Sequence, residues 1–86
     1  MKKLKKITIV VPVYDEESNI EYFHKSLKKV ISNDKKYEIL FINDGSTDNT
    51  LNEIKKIRKK DKRIKFINFS RNFGKESALT AGIEFA

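Results

Sequence analysis

Tyr37-Glu38-Ile39-Leu40-Phe41-Ile42-Asn43-Asp44-Gly45-Ser46-Thr47-Asp48 passes without a break from an apolar run to acid, glycine and hydroxyl residues. An apolar run of this length reads as a strand buried on both faces, which is how parallel sheets are written. The abrupt polar ending puts Asp44 at the carboxyl end of that strand, where open α/β sheets bind ligands. A similar change occurs upstream, where Ile7-Thr8-Ile9-Val10-Val11-Pro12-Val13 gives way to Tyr14-Asp15-Glu16-Glu17. Two adjacent strands ending in this way would make one acidic, hydroxyl-lined crevice.

Between the two strands, Ser18-Asn19-Ile20-Glu21 has the spacing of a capping box, with the serine as cap and the glutamate reaching back. Ile20, Phe23, Leu27, Val30 and Ile31 then recur at helical spacing and predict one apolar face for the sheet. After the second strand, Ser46-Thr47-Asp48-Asn49-Thr50 offers capping residues for a helix that buries Leu51, Ile54 and Ile57. A third strand is predicted over 64–69, a polar loop over 70–75, and a last helix over 76–86 packing through Ala78, Leu79, Ile83 and Phe85. The order is β-α-β-α-β-α, and the expected fold is a three-layer α/β/α arrangement around a parallel sheet. In such a sheet the first strand would be left as a long apolar edge, an aggregation hazard. The 86 residues therefore read as a single partial domain, the first part of something larger.

Composition narrows the class. With 38% hydrophobic and 36% charged residues, and no apolar run near the roughly 20 residues of a spanning helix, the sequence predicts a soluble domain. Its start, Met1-Lys2-Lys3-Leu4-Lys5-Lys6, is basic, but the apolar stretch that follows is short and lacks a small-residue cleavage site, so no signal peptide is expected. The absence of cysteine excludes disulfides and thiolate metal sites and fits a reducing compartment. A formal net charge of +7 invites anionic partners. The densest basic segment, residues 55–65, reads first as a solvated helix end complementing the helix dipole. Its lysines are not interleaved with aromatic residues, so no nucleic-acid platform is expected; attraction to acidic lipid headgroups stays open.

Several residues have a plain structural reading beside a functional one. Asp44-Gly45 is common turn chemistry. Glu17 and Asp48 read as helix-start residues. Arg71 and Lys75 flank Gly74, whose backbone could approach an anion at a helix start. No Gly-x-Gly-x-x-Gly or P-loop pattern occurs. His24 is the only histidine; it reads as a boundary residue of the first helix, away from the strand ends and from any hydrolase triad.

Three segments in series carry a resemblance: residues 11–20, beginning Val11-Pro12-Val13-Tyr14-Asp15-Glu16; residues 42–50, beginning Ile42-Asn43-Asp44-Gly45-Ser46; and residues 70–79, beginning Ser70-Arg71-Asn72-Phe73-Gly74-Lys75. Together they resemble the amino-terminal half of a family 2 glycosyltransferase. The third is similar in particular to the polyprenyl-phosphate sugar transferases, the dolichol-phosphate mannosyltransferase-like members. The resemblance covers essentially the whole chain.

It implies a GT-A, Rossmann-like fold and a UDP- or GDP-linked sugar donor over the first two strand ends. Carried over by position, Pro12, Tyr14 and Glu16 would line the base and ribose pocket and Ile42 would pack near the base. Asp44 would accept hydrogen bonds from the base edge, with Gly45 and Ser46 in the same loop; Arg71 and Lys75, by their own charge and their place around Gly74, are candidates for phosphate contacts. An ionised carboxylate is acceptor-only and suits the imide or amide N–H of uracil or guanine. Two departures stand out: Asp15 where the family usually has asparagine, and Asn43 where it usually has the first of two aspartates. The resemblance also implies a divalent cation, Mg or Mn, whose Asp-x-Asp ligands lie beyond a fourth strand and outside this chain. It implies further a polyprenyl phosphate or glycan acceptor and a cytoplasmic location at the inner face of the membrane. No catalytic or metal-binding residue is expected among these 86. Other readings remain open: a nucleotide-binding fragment without turnover, a truncated product, or a basic nucleic-acid binder whose affinity falls with salt.

Overall fold

A computed structural model describes residues 6–85. Six elements follow one another: β1 (Ile7–Val13), α1 (Ile20–Ile31), β2 (Tyr37–Asn43), α2 (Thr50–Lys60), β3 (Ile64–Asn68) and α3 (Lys75–Phe85). The element order matches the sequence expectation; Ala86 and the basic start, residues 1–5, lie outside the described residues.

The strands form one parallel sheet in the order β1-β2-β3. β2 is central, and Ile39, Leu40, Phe41 and Ile42 are each buried to within a few per cent, as its unbroken apolar run requires. Side chains alternate across a strand, so Ile39 and Phe41 face the layer of α1 and α2, where Ile20, Ile31, Ile54 and Ile57 complete the core. Leu40 and Ile42 face α3 and pack with Ala78. The register aligns Val13 with Asn43, and Asn43 with Asn68. All three strands therefore end at one level, and the loops that follow them stand side by side.

Four local expectations are corrected. The capping box does not form: Asn19, not Ser18, is the residue before α1, and it makes no side-chain cap bond. A turn closed by Asn19 N–H and Ile20 N–H donating to the Glu16 carbonyl (2.9 and 3.1 Å) leads into the helix instead, and Glu21 pairs along the helix with Lys25. Val30 is 83% exposed, off the buried face of α1. His24 is no boundary residue; it is buried, with Nε2 3.0 Å from Asp61 Oδ2. On α3, Ala78 packs as expected, but Ile83 and Phe85 are exposed and Leu79 is partly so. Gly82 takes the contact instead: a Cβ there would lie 2.3 Å from Val10 Cγ1, so its lack of a side chain lets α3 lie close on β1.

Candidate functional site

The three loops at the carboxyl ends of the strands are joined by polar contacts in which side chains of one loop bind the backbone of another. Asp15, held at a φ of 50° that aspartate tolerates better than most residues, accepts from Thr47 N–H (2.7 Å), Thr47 Oγ1 and Asp48 N–H (3.3 Å). Its own N–H donates to Ser46 Oγ at 2.9 Å. Glu16 N–H donates to Thr50 Oγ1 (2.9 Å), and Glu17 N–H to Asp48 Oδ2 (3.2 Å). Asp48 also accepts from Thr50, through its N–H (2.9 Å) and its hydroxyl. Partial burial opposes its charge, but these hydrogen bonds prevail and hold its carboxyl below the usual range. The first and second loops are thereby one body.

The second loop is tied equally firmly to the third. Asp44 is buried, and its carboxylate accepts Phe73 N–H at 2.8 Å and Gly74 N–H at 3.0 Å. Gly45, at φ +69°, lies under the third loop; a Cβ would sit 2.1 Å from the Arg71 carbonyl carbon, a position no side chain can occupy. Asn43 donates through Nδ2 to Asn68 Oδ1 (2.8 Å) and accepts from the Ser46 hydroxyl. The amide uses both its donor and its acceptor, which a carboxylate at this position could not do.

Between the loops lies a cavity of about 420 Å³ lined by Pro12, Val13, Tyr14, Glu16, Asp44, Asn72, Gly74 and Lys75, within the range of small-molecule sites. The residues predicted to line a pocket divide accordingly. Pro12 at the end of β1, Tyr14 and Glu16 after it, Asp44 after β2 and Lys75 at the start of α3 come together there. Gly45 and Ser46 stand behind the cavity and brace the loops. Ile42 is fully buried on the α3 side and gives the cavity no surface. Arg71 is turned away, its guanidinium carbon 4.7 Å from the centre of the Phe73 ring. Sequence reasoning did not place Val13 and Asn72 in the lining, nor Asp15 and Asn43 as braces. The density of Asp, Asn, Ser and Thr after each strand was the available signal, since these side chains bind local backbone.

The chemistry of the cavity is one-sided. Tyr14 offers a half-exposed ring for stacking, Glu16 and Asp44 offer acceptors, and Lys75 at the start of α3 offers a cation. Among the described residues no three His, Cys, Asp or Glu side chains converge to hold a metal ion, so the residues present do not by themselves fit one. No described helix is long and apolar enough to cross a membrane.

The other end of the sheet is differently built. Arg63 grips Asp61 through Nε and Nη2, both at 2.9 Å, and His24 approaches the same carboxylate. The Arg63 hydrogen bonds hold the Asp61 carboxyl far below its ordinary range against the opposing effect of burial. Glu38 is held low as well: its burial is outweighed by Lys65 and Thr8. Around these pairs, Lys6, Lys28, Lys35, Lys60 and Lys62 line a groove of about 490 Å³.

Two solved structures share this architecture, one of them a mannosyltransferase. The chain superposes on the mannosyltransferase PcManGT of Pyrobaculum calidifontis, determined in complex with GDP-Man and Mn2+, with a TM-score of 0.78, 22% identity, and coverage of 99% of this chain and 25% of that one. It superposes on residues 1–349 of S. aureus TarS with a TM-score of 0.80 and 28% identity, over 94% of this chain and 24% of the other. The fold is thus the expected GT-A type. In sequence, the chain is 52% identical over 79 residues to CsbB of Bacillus subtilis, covering 91% of this chain and 24% of that protein. It is 45% identical over 83 residues to the prophage bactoprenol glucosyl transferase homolog of Escherichia coli K12, covering 94% and 27%. The chain spans about a quarter of the length of these relatives. The pattern of glycosyl transferase family 2 matches residues 8–86, and the chain belongs to that family.

Proposed function

We propose that this chain is the donor-binding part of a transferase that moves a sugar from a UDP- or GDP-linked donor to a polyprenyl phosphate or glycan. The observation that carries this reading is the cavity at the aligned strand ends, where Tyr14, Asp44 and Lys75 converge. Tyr14 stacks on the base with Pro12 beside it. Glu16 accepts from ribose hydroxyls, and Asp44 accepts the base N–H on lone pairs left by its two amide partners. Lys75 pairs with the diphosphate, and Arg71 can join it by leaving the Phe73 ring. In the complete protein an acceptor oxygen attacks the anomeric carbon and the nucleoside diphosphate leaves. A polyprenyl phosphate acceptor is favoured by the likeness to a bactoprenol glucosyl transferase homolog.

The divalent cation and the acceptor site belong, on this reading, to sequence outside these 86 residues, which form a partial domain. The exposed row on α3 and the β1 edge are where that remainder would pack. A cytoplasmic location at the inner face of a membrane fits a lipid-linked acceptor. Lysines at the other end of the sheet without an ion-pair partner among the described residues favour contact with anionic lipid, each worth on the order of 1 kcal/mol near such a surface. Sedimentation with anionic vesicles that is lost at high salt checks that part.

Calorimetric titration with UDP and GDP tests the central reading. One of them binds, and Tyr14→Ala or Lys75→Met weakens it by about tenfold, while Lys60→Ala leaves it unchanged. Binding of neither nucleotide, or equal affinities in all four proteins, would overturn it.

A further inference from the structure

Three consecutive residues at the end of β2 grip one segment, residues 68–74. The Asn43 carbonyl accepts Phe69 N–H at 2.9 Å while its side chain binds Asn68. Asp44, 4% exposed, gives Oδ1 to Phe73 N–H and Oδ2 to Gly74 N–H. Gly45 lets the backbone of Arg71 and Asn72 cross at a distance that excludes a Cβ. Immediately after this segment comes Lys75, the first residue of α3 and the cation of the cavity.

Acceptance of a base N–H gives Asp44 one use in the cavity, yet its charge also stands in the wall of an anion site. By Coulomb's law alone it repels a diphosphate, and burying it without partners would be costly. Its two hydrogen bonds from backbone N–H groups offset the burial cost and fix Phe73 and Gly74, from which the position of Lys75, a cation that counters the repulsion, follows. We propose that Asp44 is a positioning residue that holds the β3–α3 loop so that Lys75 and the amino end of α3 face the diphosphate. This deepens the donor-site reading and rests on it: base contact uses the remaining lone pairs of the carboxylate, and loop-holding precedes any ligand.

The two effects of Asp44 on an anion have opposite signs, which makes the inference testable. Asp44→Asn keeps the shape, removes the charge, and leaves one acceptor oxygen for two N–H donors. Charge alone predicts tighter binding of inorganic pyrophosphate by the variant. Loop-holding predicts weaker binding, by about tenfold, the order expected when a charge-assisted hydrogen bond is lost, and about tenfold faster amide hydrogen exchange at Phe73 and Gly74 without ligand. In a Lys75→Met background the loss of pyrophosphate affinity largely disappears. Tighter binding with unchanged exchange at Phe73 and Gly74 would overturn the proposal. If the variant does not fold, the unaltered chain still decides: Phe73 and Gly74 exchange more slowly than Arg71 and Asn72, and equal rates would overturn loop-holding. A chain that binds no pyrophosphate at all overturns the diphosphate placement and the donor-site reading, and leaves the exchange result to judge the loop by itself.

Discussion

The two faces of the sheet are built unequally. Under α1 and α2, Val13, Ile39, Phe41 and Ile64 meet Ile20, Ile31, Ile54 and Ile57 in a continuous core. Under α3 the buried side chains among the described residues are Leu40, Ile42 and Ala78, with Gly82 buried beside them, and Ile83 and Phe85 on that helix are more than two-thirds exposed. The first face has the burial of a finished domain, whereas the second still has apolar surface to cover. Hydrophobic stabilisation follows area removed from water, so the fold is anchored on the α1/α2 side. The candidate site lies at the end where the loops rising from both faces meet, and there polar bonds between loops substitute for a core.

Substitutions on the two faces should differ in their effect on stability. Phe41→Ala removes a fully buried ring from the finished face and is expected to cost about 4 kcal/mol of unfolding free energy, read by chemical denaturation. Asp61→Asn comes next: Arg63 and His24 would lose the carboxylate that pairs with them, at about 3 kcal/mol. It also carries a pH signature. The folded Asp61 carboxyl is held far below its unfolded value, so the unfolded chain takes up the proton first as pH falls. Its contribution is complete above about pH 4 and is withdrawn progressively below it. A denaturation series from pH 6 to pH 2 should show a shallower loss in the asparagine variant.

On the α3 face, Gly82→Ala drives a methyl into Val10 and should cost about 1–2 kcal/mol by overpacking. Pairing it with Val10→Ala should recover part of that loss, measurable in the double variant. The smallest effects belong to the uncovered surface. Phe85→Ala and Val30→Ala, at 71% and 83% exposed, should each shift stability by no more than about 0.5 kcal/mol. A shift of 2 kcal/mol at Phe85 would mean that the second face is closed after all.

The strands and the level of the site were legible because β2 declares itself: an apolar run buried on both sides and then Asp44-Gly45. The helical faces were less so. At about 100° per residue, His24 falls about 40° from Ile20, inside the apolar arc, while Val30 falls about 80° away on its other side. Hydrophobicity ranks the valine inward; geometry reverses the order, and Asp61 makes the inward histidine affordable. That partner lies 37 residues away, beyond the reach of any local pattern. The exposure of Ile83 and Phe85 on α3 does not show in the local pattern, because apolar character alone does not tell how much sheet surface is available to receive a helix face. At the site, Tyr14, Glu16, Asp44 and Lys75 could be read from the motifs. The inward burial of Ile42 and the stacking of Arg71 on Phe73 depend on which side of a strand or loop faces inward, and motif order does not encode that.

The most direct test of the account is a map of backbone amide shifts in the labelled chain as UDP and GDP are added. One nucleotide is expected to move Val13, Tyr14, Glu16, Asp44, Gly74 and Lys75, and to leave His24, Lys60, Lys62 and Arg63 in place. Shifts gathered at the basic end of the sheet, or none with either nucleotide, would contradict it.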